Sequence, residues 1–156
     1  MSSVEADLAG FGALADLSAP HRELVARTAR PVRFAAGERL FLEGGPAEGC
    51  WLIHEGCVAL DLMIPGRGPV VVQTLGPGDV LGWSWLIPPY EWHFGARAVR
   101  DTTATELDTG QLRTLADQDP RFGYALTVSL FQACARRLQA TRARLLDLYR
   151  GPDDEH

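Results

Sequence analysis

Between residues 31 and 108 the chain changes its period, and that change constrains the fold more than any other feature. Short runs alternate apolar and polar residues, and clusters of Gly, Pro or Asp interrupt them roughly every eight to twelve positions. Such a stretch cannot sustain a long helix and predicts short strands closing into a β-sandwich or β-roll. Strands are expected at 32–35 and 39–43, on either side of Ala36-Gly37-Glu38. CWLIH and CVALDLMI flank Glu55-Gly56, and a two-residue loop with Gly second predicts a hairpin, with Ile53 opposite Val58 and Trp51 opposite Leu60. Val58, Leu60, Leu62 and Ile64 would then share one face, and Ala59, Asp61 and Met63 the other. VVVQTL follows, and segments 96–100 and 104–108 complete the series.

Outside this stretch the period is helical. Residues 8–17 are apolar at loosely helical spacing. Ser18 and Pro20 read as the cap and first turn of a short helix facing inward through Leu24, Val25 and Thr28, with Pro31 ending it. Thr109 is the expected cap of a helix before Asp119-Pro120. The longest helical pattern runs over 121–149, where Leu126, Leu130, Cys134, Leu138, Leu145 and Leu148 recur at steps of three, four and seven. Its simplest role is packing on the roll through Leu126, Leu130 and Leu138. Gly151-Pro152 would stop it, leaving a disordered tail at 151–156. The organisation expected is one domain over 1–150: a helical N-terminus (8–29), the roll (31–108) and C-terminal helices (110–149).

Composition excludes several classes. No apolar run approaches the ~20 residues of a membrane span, and the N-terminus lacks a signal core, so a cytoplasmic location is expected. Cys50, Cys57 and Cys134 are an odd set at unrelated spacings, which predicts reduced thiols and no disulfide framework. The net charge of −5 argues against a generally basic nucleic-acid surface. All 15 basic residues are arginine. Six of them fall within 121–150 against one acid, Asp147, which reads first as a solvated, partner-facing helix. No metal site is expected, because His54 and His93 are isolated and no His-x-His pair exists. No nucleophile–base or paired-carboxylate arrangement points to an enzyme.

Residues 75–98, LGPGDVLGWSWLIPPYEWHFGARA, hold three of the four tryptophans and the pair Pro88-Pro89, where a cis bond is possible. This segment is too aromatic for a plain loop and too broken for a long element. Three motifs in order give it a context. These are Phe34-Ala35-Ala36-Gly37-Glu38 with Leu40 and Glu43-Gly44; Trp51-Leu52-Ile53-His54-Glu55-Gly56-Cys57-Val58; and Leu75-Gly76-Pro77-Gly78-Asp79-Val80-Leu81-Gly82. Together with Arg137-Leu138 and Arg142, they resemble the cyclic-nucleotide-binding domain family, the sensor module of Crp/Fnr-type regulators. The resemblance implies a mainly β, jelly-roll-like β-roll followed by a long helix. It also implies a phosphate cassette after Gly82, where helix-start N–H groups, a bidentate Arg and a Glu hold the cyclic nucleotide.

The lead-in is kept and the cassette chemistry is not. Trp83 stands at the family's Glu position, Phe94 at its Arg position and Gly95 at its hydroxyl position. A buried phosphate without a counter-charge forfeits ~1.5–3 kcal/mol and still loses its water. The expectation is therefore a non-catalytic sensor without a cofactor that does not bind cyclic AMP or GMP in the usual way. Its altered site would comprise Gly82, Trp83, Ser84, Trp85, Trp92, His93, Phe94 and Arg97, with Glu91 a further polar contact and an effector of unknown identity. Alternatives are an aromatic plug, a partner-docking loop, or nucleotide binding through Arg97, although strand alternation would turn Arg97 outward. Leu138, Thr141, Leu145 and Leu148 repeat as a short heptad seam, which predicts a homodimer. Seven residues follow Tyr149, too few for a helix-turn-helix. Direct DNA binding is thus not expected, and the domain would report to a protein partner in trans.

Overall fold

Two four-stranded antiparallel sheets face one another in the computed structural model, which describes residues 8, 11, 12 and 14–150. In chain order, α1 (Ala19–Arg27) precedes β1 (Ala29–Phe34), β2 (Arg39–Phe41), β3 (Cys50–Glu55), β4 (Val58–Ile64), β5 (Gly68–Leu75) and β6 (Val80–Leu81). A single 3-10 turn, Ser84–Leu86, leads to β7 (Gly95–Ala98) and β8 (Thr102–Leu107), and then α2 (Thr109–Gln118) and α3 (Pro120–Tyr149). The strand orders are β1-β8-β3-β6 and β2-β7-β4-β5. This is the β-roll, one of the two arrangements the alternation predicts, followed by the long helix that the apolar spacing over 121–149 predicts.

The predicted hairpin at Glu55-Gly56 does not form. β3 lies between β8 and β6 in one sheet, and β4 lies between β7 and β5 in the other. Residues 55–57 therefore carry the chain around a corner from sheet to sheet, and residues 99–101 turn the same corner beside them. The two corners are joined: Val99 N donates to Cys57 O (2.8 Å), Cys57 N donates to Thr102 Oγ1 (3.3 Å), and Thr102 Oγ1 donates to Arg100 O (2.9 Å). Gly56 has φ +107°, and a Cβ there would stand 2.4 Å from Thr102 Oγ1 and 2.6 Å from Asp101 O. The Glu-Gly signal thus reports a positive φ, which a corner needs as much as a hairpin turn does. The two-faced pattern in β4 also fails, since Val58, Ala59, Leu60 and Asp61 are all buried while Met63 and Ile64 are exposed.

The helix starts lie within a residue of their sequence signals. Ser18 caps α1 and Pro20 lies in its first turn, but the helix ends at Arg27, with Thr28 as its C-cap. Pro31 sits within β1, an edge strand, where a missing donor is tolerated. Asp108, one residue before Thr109, caps α2 by accepting from Gln111 N (3.0 Å). Asp119 caps α3 through Arg121 N and Phe122 N. Leu8, Phe11, Leu14 and Leu17 are buried three residues apart, each backbone N–H from Phe11 onward bonding the carbonyl three residues earlier.

The core joins these leucines to both sheets, to Leu112, and to Phe122, Leu126 and Leu130 of α3. Beyond Arg137 the helix is exposed, and Leu138, at 54% exposure, does not join the core as the packing role for it required. The expected stop at Gly151-Pro152 and the tail 151–156 lie outside the described residues.

Gly56→Ala is expected to lower the unfolding free energy by about 2 kcal/mol or more, through both the positive φ and the clash. Urea denaturation with an unchanged slope checks this; a loss below about 0.5 kcal/mol would show that the corner accepts a side chain.

Candidate functional site

The aromatic residues of the segment after β6 divide into two sets with different tasks. Trp85 is buried and donates its indole N–H to Gly82 O (3.1 Å). Trp92 is buried and stacks on Phe41 (centroids 3.7 Å apart), which in turn stacks on Trp51. Backbone bonds between Trp92 and both Gly44 and Gly45 staple this limb to the loop after β2. These two tryptophans extend the core, as a plug would. Trp83 and Phe94 instead meet edge to face (6.1 Å) at the wall of a cavity. Trp83 stacks on His93 (4.8 Å), whose Nδ1 lies 2.9 Å from the hydroxyl of buried Ser84. The tip carries a cis Pro88–Pro89 bond, and the Arg113 guanidinium of α2 lies 4.3 Å above the Tyr90 ring.

The cavity, ≈ 280 Å³, runs along the seam between roll and α3. Leu60, Leu75, Leu81, Trp83 and Phe94 line it from the roll, and Leu130, Cys134 and Leu138 from the helix. A second cavity of ≈ 310 Å³ adjoins it, bordered by Gly78, Asp79, Arg136, Ala140 and Arg144. Gln73, Val80, Ala133, Arg137 and Thr141 border both.

Arg137 is the tie across this seam. Its Nη1 pairs with Asp79 Oδ2 (3.0 Å), and Nη2 donates to Thr74 O (3.0 Å). With its amide oriented by the surrounding donors, Gln73 accepts from Nη2 (2.9 Å) and Nε (3.1 Å). Sequence reading placed Arg137 only in the helix motif and missed this role. The available signal was position: Arg137 lies three and seven residues after Cys134 and Leu130, so it is a cation on the helix's apolar face.

Several site residues are placed elsewhere than a nucleotide cassette needs. Arg97 is exposed between fully buried Ala96 and Ala98 and does not border the cavity. Glu91 is exposed also. Gly95 lies against an ion pair that spacing could not reveal, half-buried Arg39 Nη1 to buried Asp61 Oδ1 at 2.9 Å. A Cβ at Gly95 would stand 2.4 Å from that Asp61 oxygen and 2.8 Å from the Arg39 nitrogen. The arginine beside the expected hydroxyl position, Arg39, is therefore already paired. His54 is satisfied structurally, 2.6 Å from Thr105 Oγ1 and edge-on to Phe11. Among the described residues, no three His, Cys, Asp or Glu side chains group as metal ligands would. No described helix is long and apolar enough to cross a membrane. Burial pushes the Cys50 thiol up to about 12. Burial also raises Cys134, on the cavity wall, with Arg137 opposing the shift.

Residues 31–119 match the family model described as "Cyclic nucleotide-binding domain". A CRP-like cAMP-activated global transcriptional regulator of Mycobacterium tuberculosis is 27% identical over 119 residues, covering 76% of this chain and 51% of that protein. The nitrogen fixation regulation protein FixK of Azorhizobium caulinodans is 30% identical over 126 residues, covering 80% and 49%. The chain thus spans about half the length of the curated relatives it matches. Among solved structures, a Geobacter metallireducens GS-15 protein described as a candidate for cyclic nucleotide binding superposes with a TM-score of 0.78 at 25% identity, covering 88% of this chain and 99% of its own.

Two outcomes are expected from this geometry. Trp83→Glu with Phe94→Arg and Gly95→Ser, which restores the family's residue types at all three positions, should not create cyclic AMP binding by calorimetry, because the new side chain at 95 lands on the Arg39–Asp61 pair. Between pH 9.0 and about 12 the folded chain keeps a Cys50 proton that the unfolded chain releases. Stability should therefore be insensitive to this group below that window and fall as pH rises through it, by at most about 1.4 kcal/mol per unit. Urea titrations at pH 8 and 10 on wild type and Cys50→Ala measure the difference.

Proposed function

The chain belongs to the cyclic nucleotide-binding domain family, and we propose that it is a non-catalytic sensor whose effector sits in the seam between roll and long helix. One observation carries the proposal: Trp83 and Phe94, at the family's Glu and Arg positions, wall an open cavity and do not fill it. A usual cyclic nucleotide would set its phosphate against Phe94 and its ribose against Trp83, and would forgo a charge-assisted bond of ~1.5–3 kcal/mol. A small, largely apolar effector meets no such penalty there, and the cavity is close to the size such ligands occupy.

The output element is α3. It forms one wall of the cavity and is tied to the roll by Arg137, so whatever enters the seam acts on that tie. Past the tie, Leu138, Leu145 and Leu148 are 54%, 54% and 81% exposed. With Thr141 they form the seam through which two copies pair, and a protein partner reads the state of that pair. The buried Trp85 and Trp92 favour a second reading, a non-sensing subunit stabilised by its own aromatic loop. The open wall at Trp83 favours the sensor.

A thermal-shift screen with cyclic mononucleotides, cyclic dinucleotides and a small-molecule set tests the proposal on wild type and on Ala133→Trp, which fills the cavity. An effector at 100 times its Kd should stabilise wild type by about 2.7 kcal/mol and leave Ala133→Trp unmoved. Saturable stabilisation by cyclic AMP would refute the non-nucleotide assignment. In sedimentation, wild type should be dimeric at micromolar concentration and Leu145→Arg monomeric; a monomeric wild type would remove the dimer from the scheme.

A further inference from the structure

Resting on that reading of the seam, we infer that its ligand is an amphipathic anion. Its apolar body lies against Trp83 and Phe94, and its carboxylate or phosphate end lies among Arg136, Arg137 and Arg144. The two adjoining cavities differ in chemistry. The one walled by Trp83 and Phe94 is lined mainly by leucines and aromatic rings. The other has three guanidiniums against one carboxylate, Asp79. Arg137 is spent on Asp79, Thr74 and Gln73, which fixes its planar group at the junction of the two spaces. Arg136 and Arg144 form no ion pair with a described residue.

A ligand matching only one cavity leaves the other unexplained. A neutral apolar compound does not use the arginines. A cyclic nucleotide held by its cassette puts its charge on the aromatic side, where Arg39 is already taken by Asp61. An apolar body with one anionic end satisfies both spaces at once, and guanidinium forks match carboxylate and phosphate oxygens alike. The anionic end also competes with Asp79 for Arg137. Asp79 lies in the turn that leads into β6, so ligand entry bears on the contact holding α3 to the roll.

Calorimetry on the full chain tests this with decanoate, decyl phosphate and neutral decanamide, each below its aggregation concentration, alongside cyclic AMP. At least one anionic probe should bind saturably, at least about ten-fold more tightly than decanamide, and more weakly as salt is raised. Arg144→Gln, at an exposed residue that makes no bond to the roll, should narrow that gap and leave decanamide unchanged. Arg137→Gln should narrow it further, with circular dichroism confirming the fold. Ala133→Trp should abolish all binding. If decanamide binds as tightly as the anions and Ala133→Trp blocks it, the anionic assignment fails while the effector cavity stands. If cyclic AMP alone binds and Ala133→Trp blocks it, the ligand class is wrong. Binding that persists in Ala133→Trp, or no binding by any probe, overturns both this inference and the reading beneath it.

Discussion

The roll depends on one interaction, the joining of two corners. Cys57 and Val99 meet where β3 passes into β4 and β7 passes into β8, and Thr102 binds the turn from the other side. Because both chains turn there together, β8 stays paired with β3 in one sheet and β7 with β4 in the other. Two antiparallel partners thereby run continuously through both layers, and the layers are held face to face by covalent connection as well as by packing. Everything in the site is placed by this arrangement. Gly95 opens β7 with Phe94 just before it, and Asp61 and Leu60 of β4 pair with Gly95 and Ala96.

Given that frame, the proposed unsuitability of the site for an ordinary cyclic nucleotide is a matter of charge as much as of residue type. The site retains buried charge, but Arg39 and Asp61 neutralise one another where the family would place a hydroxyl. Opening that pair to admit a phosphate would leave Asp61 buried without its partner, a strongly unfavourable outcome. Aromatic substitution at Trp83 and Phe94 is consistent with this arrangement. In the proposed reading the cations that serve a ligand are those of α3, Arg136, Arg137 and Arg144, on the other side of the cavity.

How far the sequence can be read follows from which signals are local. The strand series was legible because alternation and turn residues are properties of neighbouring positions. The caps were legible to within a residue, with Asp108 taken for Thr109. The hairpin was not, because Glu55-Gly56 states only a backbone angle, and the identity of the pairing strand is decided by residues some fifty positions away. The aromatic segment announced an unusual site, yet its division into core tryptophans and a cavity wall depends on the 3-10 turn at Ser84–Leu86, which no period predicts. Arg39 with Asp61, and Arg137 with Asp79, are long-range pairings of common residues. Their types carry no mark of the partner, although an arginine on the apolar face of α3 was a visible anomaly.

The separation of the tryptophans has an optical consequence. Trp51, Trp85 and Trp92 are shielded within the core, each at most 7% exposed, whereas Trp83 borders the cavity with an imidazole stacked on it. Three indoles therefore emit from fixed, shielded surroundings that report on folding, Trp51 with its N–H bonded to Glu106 Oε2 (2.8 Å). The fourth emits from the cavity wall, where the proposed effector would change its polarity and quenching. On that proposal the chain carries its own gauge of occupancy, read without a label against an internal reference in the same spectrum.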